Sequence, residues 1–158
     1  MRSALPVLSA LLLACASSPP TAEARLSTTV VEVGGHPVNA EVADDNHERM
    51  RGLMFRKTLG RDEGMVFVFE SAYPQAFWMK NTLIPLDILY FDAAGRLVSI
   101  QRDVPPCRTN FCESYPSEGP ARYVLELNAG RARELGIGSD ALLCERAPKL
   151  TPLPACAP

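Results

Sequence analysis

The sequence predicts a mostly β (α+β) fold: a compact antiparallel β-barrel or jelly-roll-like sandwich with one or two short helices. Short segments rich in β-branched and aromatic residues alternate with turns that contain Gly, Pro, Asn or Asp. No regular helices separate these segments, which argues against a parallel α/β sheet. A length of 158 residues and a hydrophobic content of 47 % are sufficient for one domain with its own core.

The individual elements follow from local patterns in chain order. The predicted strands are 25–33, 37–43, 64–70, 75–79, 86–91, 96–104, 121–127 and 141–146. The glycine pair between the first two strands marks a hairpin turn. A helix is expected between an N-cap among residues 44–46 and an end at Gly52, and a second one over 128–136 with Asn128 as its cap.

The N-terminus has the features of an export signal. Residues 1–14 contain a basic start and an apolar run that is too short for a permanent transmembrane helix. The run ends in LLAC, which resembles a bacterial lipobox and predicts lipidation at Cys15, with residues 15–24 as a tether. Signal cleavage after Ala24, at an A-x-A motif, is the alternative. We expect an exported, periplasmic protein attached to the outer or cytoplasmic membrane by the lipid at Cys15.

The cysteine count agrees with an oxidising compartment. Four cysteines remain after Cys15, namely Cys107, Cys112, Cys144 and Cys156. An even number in an exported chain indicates disulfides, and three pairings are open. Pairing neighbours closes the smallest loops and would tie the Pro-rich tail, 147–158, to the domain, 25–146. A four-cysteine zinc site lacks paired C-x-x-C spacing, so no metal is expected.

The candidate site lies around the only tryptophan, in FWMKNTLIPLDILYF. A carboxylate inside an apolar strand requires partners, because burial of an unpaired charge is costly. Asp87 therefore either holds the 80–85 loop in place or faces a cavity. The candidate ligand-binding residues are Trp78, Met79, Lys80, Asn81 and Asp87, with Glu63 and Arg56 at the rim. We expect a non-enzymatic module for an unidentified small ligand.

Two other functions remain open. The first is a hydrolase in which Asp87 is the general base and Lys80 its electrostatic partner. The second is a copper site built from a set of soft ligands: His47, Met50, Met54, Met65 and Met79. Signatures such as G-x-S-x-G, H-E-x-x-H and a phosphate-binding glycine loop are missing, and no cofactor is expected. The net charge of -2 gives no indication of a nucleic-acid partner.

Several segments together resemble one family. ERMRGLMFRKTL, DEGMVFVF, FWMKNTLIPLDILYFD, VPPC and YPSEGPARYVLELNAG occur in the order typical of domain of unknown function family 192, also called uncharacterised protein family 0127. The resemblance covers roughly residues 28–145. It implies a β-rich barrel or jelly-roll-like domain that is often exported, and it brings no established reaction. The family's recurring residues correspond here to Gly52, Leu53, Met54, Glu63, Gly64, Met65, Trp78, Met79, Asn81, Thr82, Pro85, Asp87 and Glu126.

Overall fold

The fold is one curled, seven-stranded sheet with two short helices. A computed structural model describes residues 26–146 and 151–157. The elements are β1 (Thr28–Val33), β2 (His36–Ala43), α1 (Asn46–Arg51), β3 (Glu63–Trp78), β4 (Leu86–Phe91), β5 (Leu97–Val104), β6 (Ser114–Asn128), α2 (Arg131–Glu134) and β7 (Leu143–Glu145). The strand order is β5-β4-β6-β3-β2-β1-β7. The mostly β class is thus confirmed, with the sheet curled into a half-barrel.

The expected signal 1–14, the lipidation site Cys15 with its tether, and the cleavage motif all lie outside the described residues, as do residues 147–150 of the tail. Among the described residues, no helix has the length and apolar character that crossing a bilayer requires.

The curl brings the two edges of the sheet together. Arg96, just before β5, forms an antiparallel bridge with Leu142, just before β7. The Leu143 N–H donates to the Gly95 carbonyl at 2.7 Å. Gly95 has a φ of +77°, and a Cβ atom there would lie 2.3 Å from the Leu143 carbonyl oxygen. Only glycine therefore permits this closure.

Alternation along the strands divides the buried side chains into two cores. The inner core lies inside the curl and draws on both edges of the sheet, including Val31, Leu89, Phe91, Leu125 and Leu143. The outer core covers the opposite face of β3, β4 and β6, with Met65, Phe67, Met79, Ile88 and Tyr90 among its members. Loops that follow α1 and β3 shield this outer core from solvent.

The strand pairs are antiparallel with one exception. β2 and β3 pair in parallel, because α1 and the segment after it carry the chain back to the same end of the sheet before β3 begins. α1 has the expected cap, since Asp45 and Glu48 form a capping box, and it ends at Gly52.

Three sequence predictions need correction. The strands expected at 64–70 and 75–79 are one strand, β3, bent by register shifts on either side of Tyr73 and Pro74. β6 begins at Ser114 rather than at 121, because its proline-rich first half pairs with the far half of β3. The cap of α2 is Gly130, with no side-chain hydrogen bond, whereas Asn128 ends β6 and donates to the Leu59 and Gly60 carbonyls.

Both disulfides join neighbouring cysteines. Cys107 pairs with Cys112 and Cys144 with Cys156. The second bridge holds residues 151–157 against β7, where the Glu145 N–H donates to the Pro154 carbonyl at 2.8 Å and Leu153 is buried in the inner core. Part of the predicted tail is therefore packed on the domain.

Asp87 has a structural role that differs from the expected one. It is fully buried on the inner side of β4, and its two oxygens accept from the backbone N–H groups of Asp103, at 2.8 Å, and Ala132, at 2.9 Å. These donors lie at the end of β5 and in α2, not in the 80–85 loop. The prediction that Asp87 ties down that loop is wrong, because strand alternation turns its side chain away from the loop.

Removal of this carboxylate will destabilise the fold. Asp87→Ala leaves the buried Ala132 N–H and the partly buried Asp103 N–H without acceptors, and we expect the free energy of unfolding to fall by about 3 kcal/mol. Asp87→Asn keeps the shape and one acceptor, so the loss will be smaller, about 1–2 kcal/mol. Urea unfolding measures both, with the exposed Asp140→Asn as the control. Stability of Asp87→Ala within 0.5 kcal/mol of wild type, which is roughly the scatter of neutral surface changes, would contradict this assignment.

Candidate functional site

The structure does not bring the predicted site residues into one pocket. Trp78 is the last residue of β3 and Glu63 the first, so the two lie at opposite ends of the strand. Asp87 lies on the inner face, whereas Met79 and the residues around it pack on the outer core. Arg56 pairs with Glu41 on β2, and the Glu63 carboxylate accepts from the Gly60 N–H at 2.8 Å.

Residues 79–82, here called the central turn, connect β3 to the segment before β4. The Met79 side chain is buried in the outer core, with an exposure of 1 %. The Thr82 N–H donates to the Met79 carbonyl at 3.2 Å, and Asn81 has a φ of 57°. Asn tolerates the left-handed region better than most residues, which explains its use here. The turn is therefore held by the buried Met79 side chain and by the hydrogen bond between its own backbone groups.

The central turn accepts hydrogen bonds from two neighbouring loops. The Phe55 N–H donates to the Asn81 carbonyl at 2.8 Å, and the Cys107 N–H donates to the Met79 carbonyl at 3.3 Å. Phe55 also has a positive φ, 64°. The exposed side chains of segments 53–57, 78–85 and 105–113 thus lie on loops that are joined to one another. We call these exposed side chains the loop surface.

Large apolar side chains project from each of these segments. Phe55 is 61 % exposed, Trp78 52 %, Leu83 52 % and Phe111 94 %. A lone tryptophan is more often found in the core, and here it is not. Phe111 protrudes from the short loop closed by the Cys107–Cys112 disulfide. Such a concentration on contacting loops is typical of interaction sites.

The charge of the loop surface is mainly positive. The Lys80 ammonium lies 5.2 Å from the centre of the Trp78 ring, a cation–π contact. Lys57, Lys80 and Arg108 have no salt-bridge partner among the residues that the structure describes. Of the predicted candidates, Trp78, Lys80 and Asn81 therefore contribute to this surface.

The sequence reasoning overlooked three of its apolar residues: Phe55, Leu83 and Phe111. A usable signal was present, because each is a large apolar residue in a segment with turn character that also contains Lys or Arg. Nothing in the sequence indicated that the three segments meet, since they are far apart in the chain and are joined by backbone hydrogen bonds.

Glu126 is a buried acid that the sequence reasoning noted only as a recurring family residue. It lies on the outer face of β6, opposite Met65 and Ile88, and is 4 % exposed. We find no hydrogen bond to its carboxyl group from residues 26–146 or 151–157. Burial raises its pKa to about 8. Burial, and then the charge of Glu126, also raise the pKa of Tyr90, whose hydroxyl donates to the Tyr115 carbonyl.

Two other features do not form part of the loop surface. Leu59, Arg61, Asn128, Ala129, Arg131 and Glu134 line a polar groove of about 270 Å³. Within it the Arg131 guanidinium binds Asp62 and Glu134, while its buried Nε has no hydrogen-bond partner. Both arginines of the groove are paired with acids, Arg61 with Glu134 and Arg131 with Glu134 and Asp62, so its electrostatics favour no particular ligand.

The proposed copper ligands occupy different environments. Met65 and Met79 are buried in the outer core, whereas Met50 is 77 % exposed and His47 is exposed as well. Among the described residues, the carboxylates, cysteines and histidines close enough to share an ion are Glu32, Cys144 and Cys156. The two cysteines form a disulfide and have no thiolate to offer.

The raised pKa of Glu126 predicts that the folded protein loses stability as the pH rises from about 4.5 to about 8. The unfolded chain loses this proton near pH 4.5, whereas the folded protein keeps it to about pH 8. Folding therefore becomes less favourable as the pH rises from 4.5 to 8, and Glu126→Gln removes this term because an amide does not ionise. Relative to wild type, we expect Glu126→Gln to gain roughly 4 kcal/mol between pH 4 and pH 8. Chemical unfolding across this pH range measures the gain, with the exposed Glu118→Gln as the control, and a parallel pH dependence in wild type and Glu126→Gln would contradict it.

Comparisons with known proteins agree with the fold. The family model DUF192, described as an uncharacterized ACR, matches residues 29–143. A structure from Sinorhizobium meliloti 1021, described as a "putative transcription regulator", is 33 % identical with a TM-score of 0.73, covering 78 % of this chain and 98 % of its own. A protein of unknown function from Novosphingobium aromaticivorans DSM 12444 is 34 % identical with a TM-score of 0.70, covering 80 % of this chain and 90 % of its own. No curated protein matches the chain. The chain therefore belongs to the DUF192 family, as its sequence segments predict.

Proposed function

We propose that this protein is a non-enzymatic binding module of the bacterial envelope, which is exported, anchored by lipid at Cys15 and attached to its partner through the loop surface. One observation carries the proposal. The chain's only tryptophan is half exposed beside a lysine at the end of β3, next to the central turn, which is hydrogen-bonded to two further loops bearing exposed aromatic residues.

The rigidity of this surface supports a binding role. A group of exposed apolar side chains on joined loops is uncommon on a monomeric protein and is typical of an interaction site. The central turn, the Cys107–Cys112 loop and the Phe55 segment are each fixed by backbone hydrogen bonds or a disulfide. A surface that is ordered before binding loses little conformational entropy when a partner arrives.

The geometry argues against the hydrolase alternative. A general base must reach the proton that it removes. Asp87 is fully buried and both its oxygens accept from backbone N–H groups, whereas Lys80 is exposed beside the Trp78 ring. The pair therefore does not line a common cleft, and we do not propose a reaction.

A DNA-binding role, which the description of the Sinorhizobium meliloti relative would suggest, has little support here. Reading the major groove requires a helix or a β-ribbon that fits the groove, with basic residues along it. The helices in the described part have six and four residues, and the chain has a net charge of -2. We propose no nucleic-acid partner.

Export is supported by the cysteines. Disulfides persist in oxidising compartments and are rare in reducing ones. The two bridges Cys107–Cys112 and Cys144–Cys156 use every cysteine except Cys15, which leaves that residue for lipid attachment.

The lipid anchor can be tested on the mature N-terminus. After expression of the full chain in a Gram-negative bacterium, mass spectrometry should find a lipid-modified peptide that begins at Cys15, and the protein should sediment with membranes. Cys15→Ala should lose the modification, because the thiol is the attachment atom. A mature protein that begins at residue 25 without lipid would contradict the anchor and support ordinary cleavage.

The binding role can be tested with Trp78 as a reporter. The unlipidated mature chain, which starts at residue 15 with Cys15→Ser and is exported behind a foreign signal, is labelled with fluorotryptophan. Because Trp78 is the only tryptophan, it gives a single fluorine NMR resonance. Isolated envelopes should broaden this resonance severalfold, since a bound protein tumbles with a large particle.

Two matched leucine variants test whether the broadening of the Trp78 resonance depends on the loop surface. Leu83→Ser should need more envelopes to reach the same broadening, whereas Leu142→Ser should broaden as wild type does, although the two leucines are equally exposed, 52 % and 54 %. A resonance that stays narrow at a large excess of envelopes would overturn the proposed binding role.

A further inference from the structure

We infer that the partner of the loop surface is an anionic lipid bilayer, so that the domain lies against the membrane to which its N-terminus is anchored. This inference rests on the proposed binding role and names its partner. It follows from the exposed apolar side chains of the loop surface, from the positive charge of that surface, and from the point at which the chain enters the domain.

The apolar side chains have the arrangement that membrane interfaces favour. Phe55, Trp78, Leu83 and Phe111 project singly from three joined loops instead of lining a cavity. None of the residues of the polar groove belongs to this surface. Projecting side chains can enter the disordered headgroup region without a shaped receptor, and tryptophan is enriched at this depth of the bilayer.

The charges select an anionic membrane. Segments 53–57, 78–85 and 105–113 contain four basic residues and one acidic residue, whereas the whole chain has a net charge of -2. Arg56 is paired with Glu41, which leaves Lys57, Lys80 and Arg108 without ion-pair partners among the described residues. Each Lys or Arg near an anionic membrane raises the affinity about fivefold.

The chain enters the described domain on the outer side of the sheet, where the residues that flank the central turn also pack. Leu26 packs against the outer core, as do Phe77 and Ile84, which flank the central turn. Arg56, beside Phe55, pairs with Glu41, which lies opposite Thr28 at the start of β1. From Cys15 to Leu26 the chain can span at most about 40 Å. A lipid at Cys15 therefore keeps the loop surface within reach of the bilayer.

An acidic protein is the main competing partner, and the observations favour lipid. A protein–protein interface has a closely packed apolar core with charged residues moved to its rim. Here the cations are interspersed with the apolar side chains, and Lys80 covers the ring of Trp78 itself. A headgroup layer accommodates this mixture, because phosphates meet the cations while the rings enter the acyl boundary.

The experiment uses the unlipidated mature chain and two kinds of vesicle, phosphatidylcholine alone and phosphatidylcholine mixed with phosphatidylglycerol. We expect the protein to sediment with the mixed vesicles at low salt and to stay in solution with the neutral ones. Trp78 emission should shift to the blue on binding and be quenched by brominated acyl chains. High salt should release the protein.

Single substitutions should weaken the vesicle affinity without unfolding the domain. We expect about a fivefold loss for Lys57→Gln and for Arg108→Gln, and about fivefold for Leu83→Ser and Phe111→Ser. The matched controls, Arg96→Gln and Leu142→Ser, should bind as wild type does. Arg96 and Leu142 are exposed but lie outside the loop surface.

The outcomes separate this inference from the proposed binding role. Absence of sedimentation with the mixed vesicles, while envelopes still broaden the Trp78 resonance, would overturn the lipid partner and leave the binding role intact. If soluble polyglutamate broadens the resonance in the same way, the partner is an acidic protein. Equal binding to both vesicles, or equal weakening by Leu83→Ser and Leu142→Ser, would also overturn the inference. Failure with both envelopes and vesicles would overturn both proposals.

Discussion

The organisation of the loop surface depends on two carbonyl groups in the central turn. The Met79 carbonyl accepts from Thr82 and Cys107, and the Asn81 carbonyl accepts from Phe55. The Met79 side chain, buried in the outer core, fixes the turn to the sheet. These bonds connect segments 53–57 and 105–113 to segment 78–85, although the three are distant in sequence. Leu53, Met79 and Cys107 also pack on the outer core, so the segments are joined by side chains as well as by these bonds.

The sheet separates structural polar groups from interaction residues. On its inner side, Asp87 anchors α2 through a buried hydrogen bond and the end of β5 through a partly buried one. On its outer side, the loops cover a core that includes the uncharged form of Glu126 at neutral pH. Both acids are buried, but the Asp87 carboxylate accepts two backbone hydrogen bonds, whereas we find none to the Glu126 carboxyl group among the described residues. Burial disfavours the charged form of a carboxyl group, and it keeps Glu126 protonated at neutral pH by raising its pKa to about 8.

Local patterns predicted much of the fold. β4 was predicted with its full bounds and α1 with its cap and end, because strand patterns and capping residues act over short distances. The even cysteine count predicted disulfides but left three pairings open, and the structure joins neighbours. The site was harder to predict. The Asp87 carboxylate required hydrogen-bond donors, and residues 80–85 are the nearest candidates along the chain. Strand alternation instead points this side chain to the backbone N–H groups of Asp103 and Ala132, which are distant in sequence. Phe55 and Phe111 join Trp78 only through long-range backbone bonds, which no local pattern encodes.

Amide hydrogen exchange of the free protein, resolved by NMR, tests most directly whether the loops form one preorganised surface. The amides of Phe55 and Cys107 donate to the central turn, so they should exchange far more slowly than the unstructured-chain rate, in step with the amide of Thr82. Exchange of Phe55 and Cys107 at the rate of an unfolded peptide, while the amides of β4 remain protected, would show that the loops move independently and would contradict the account.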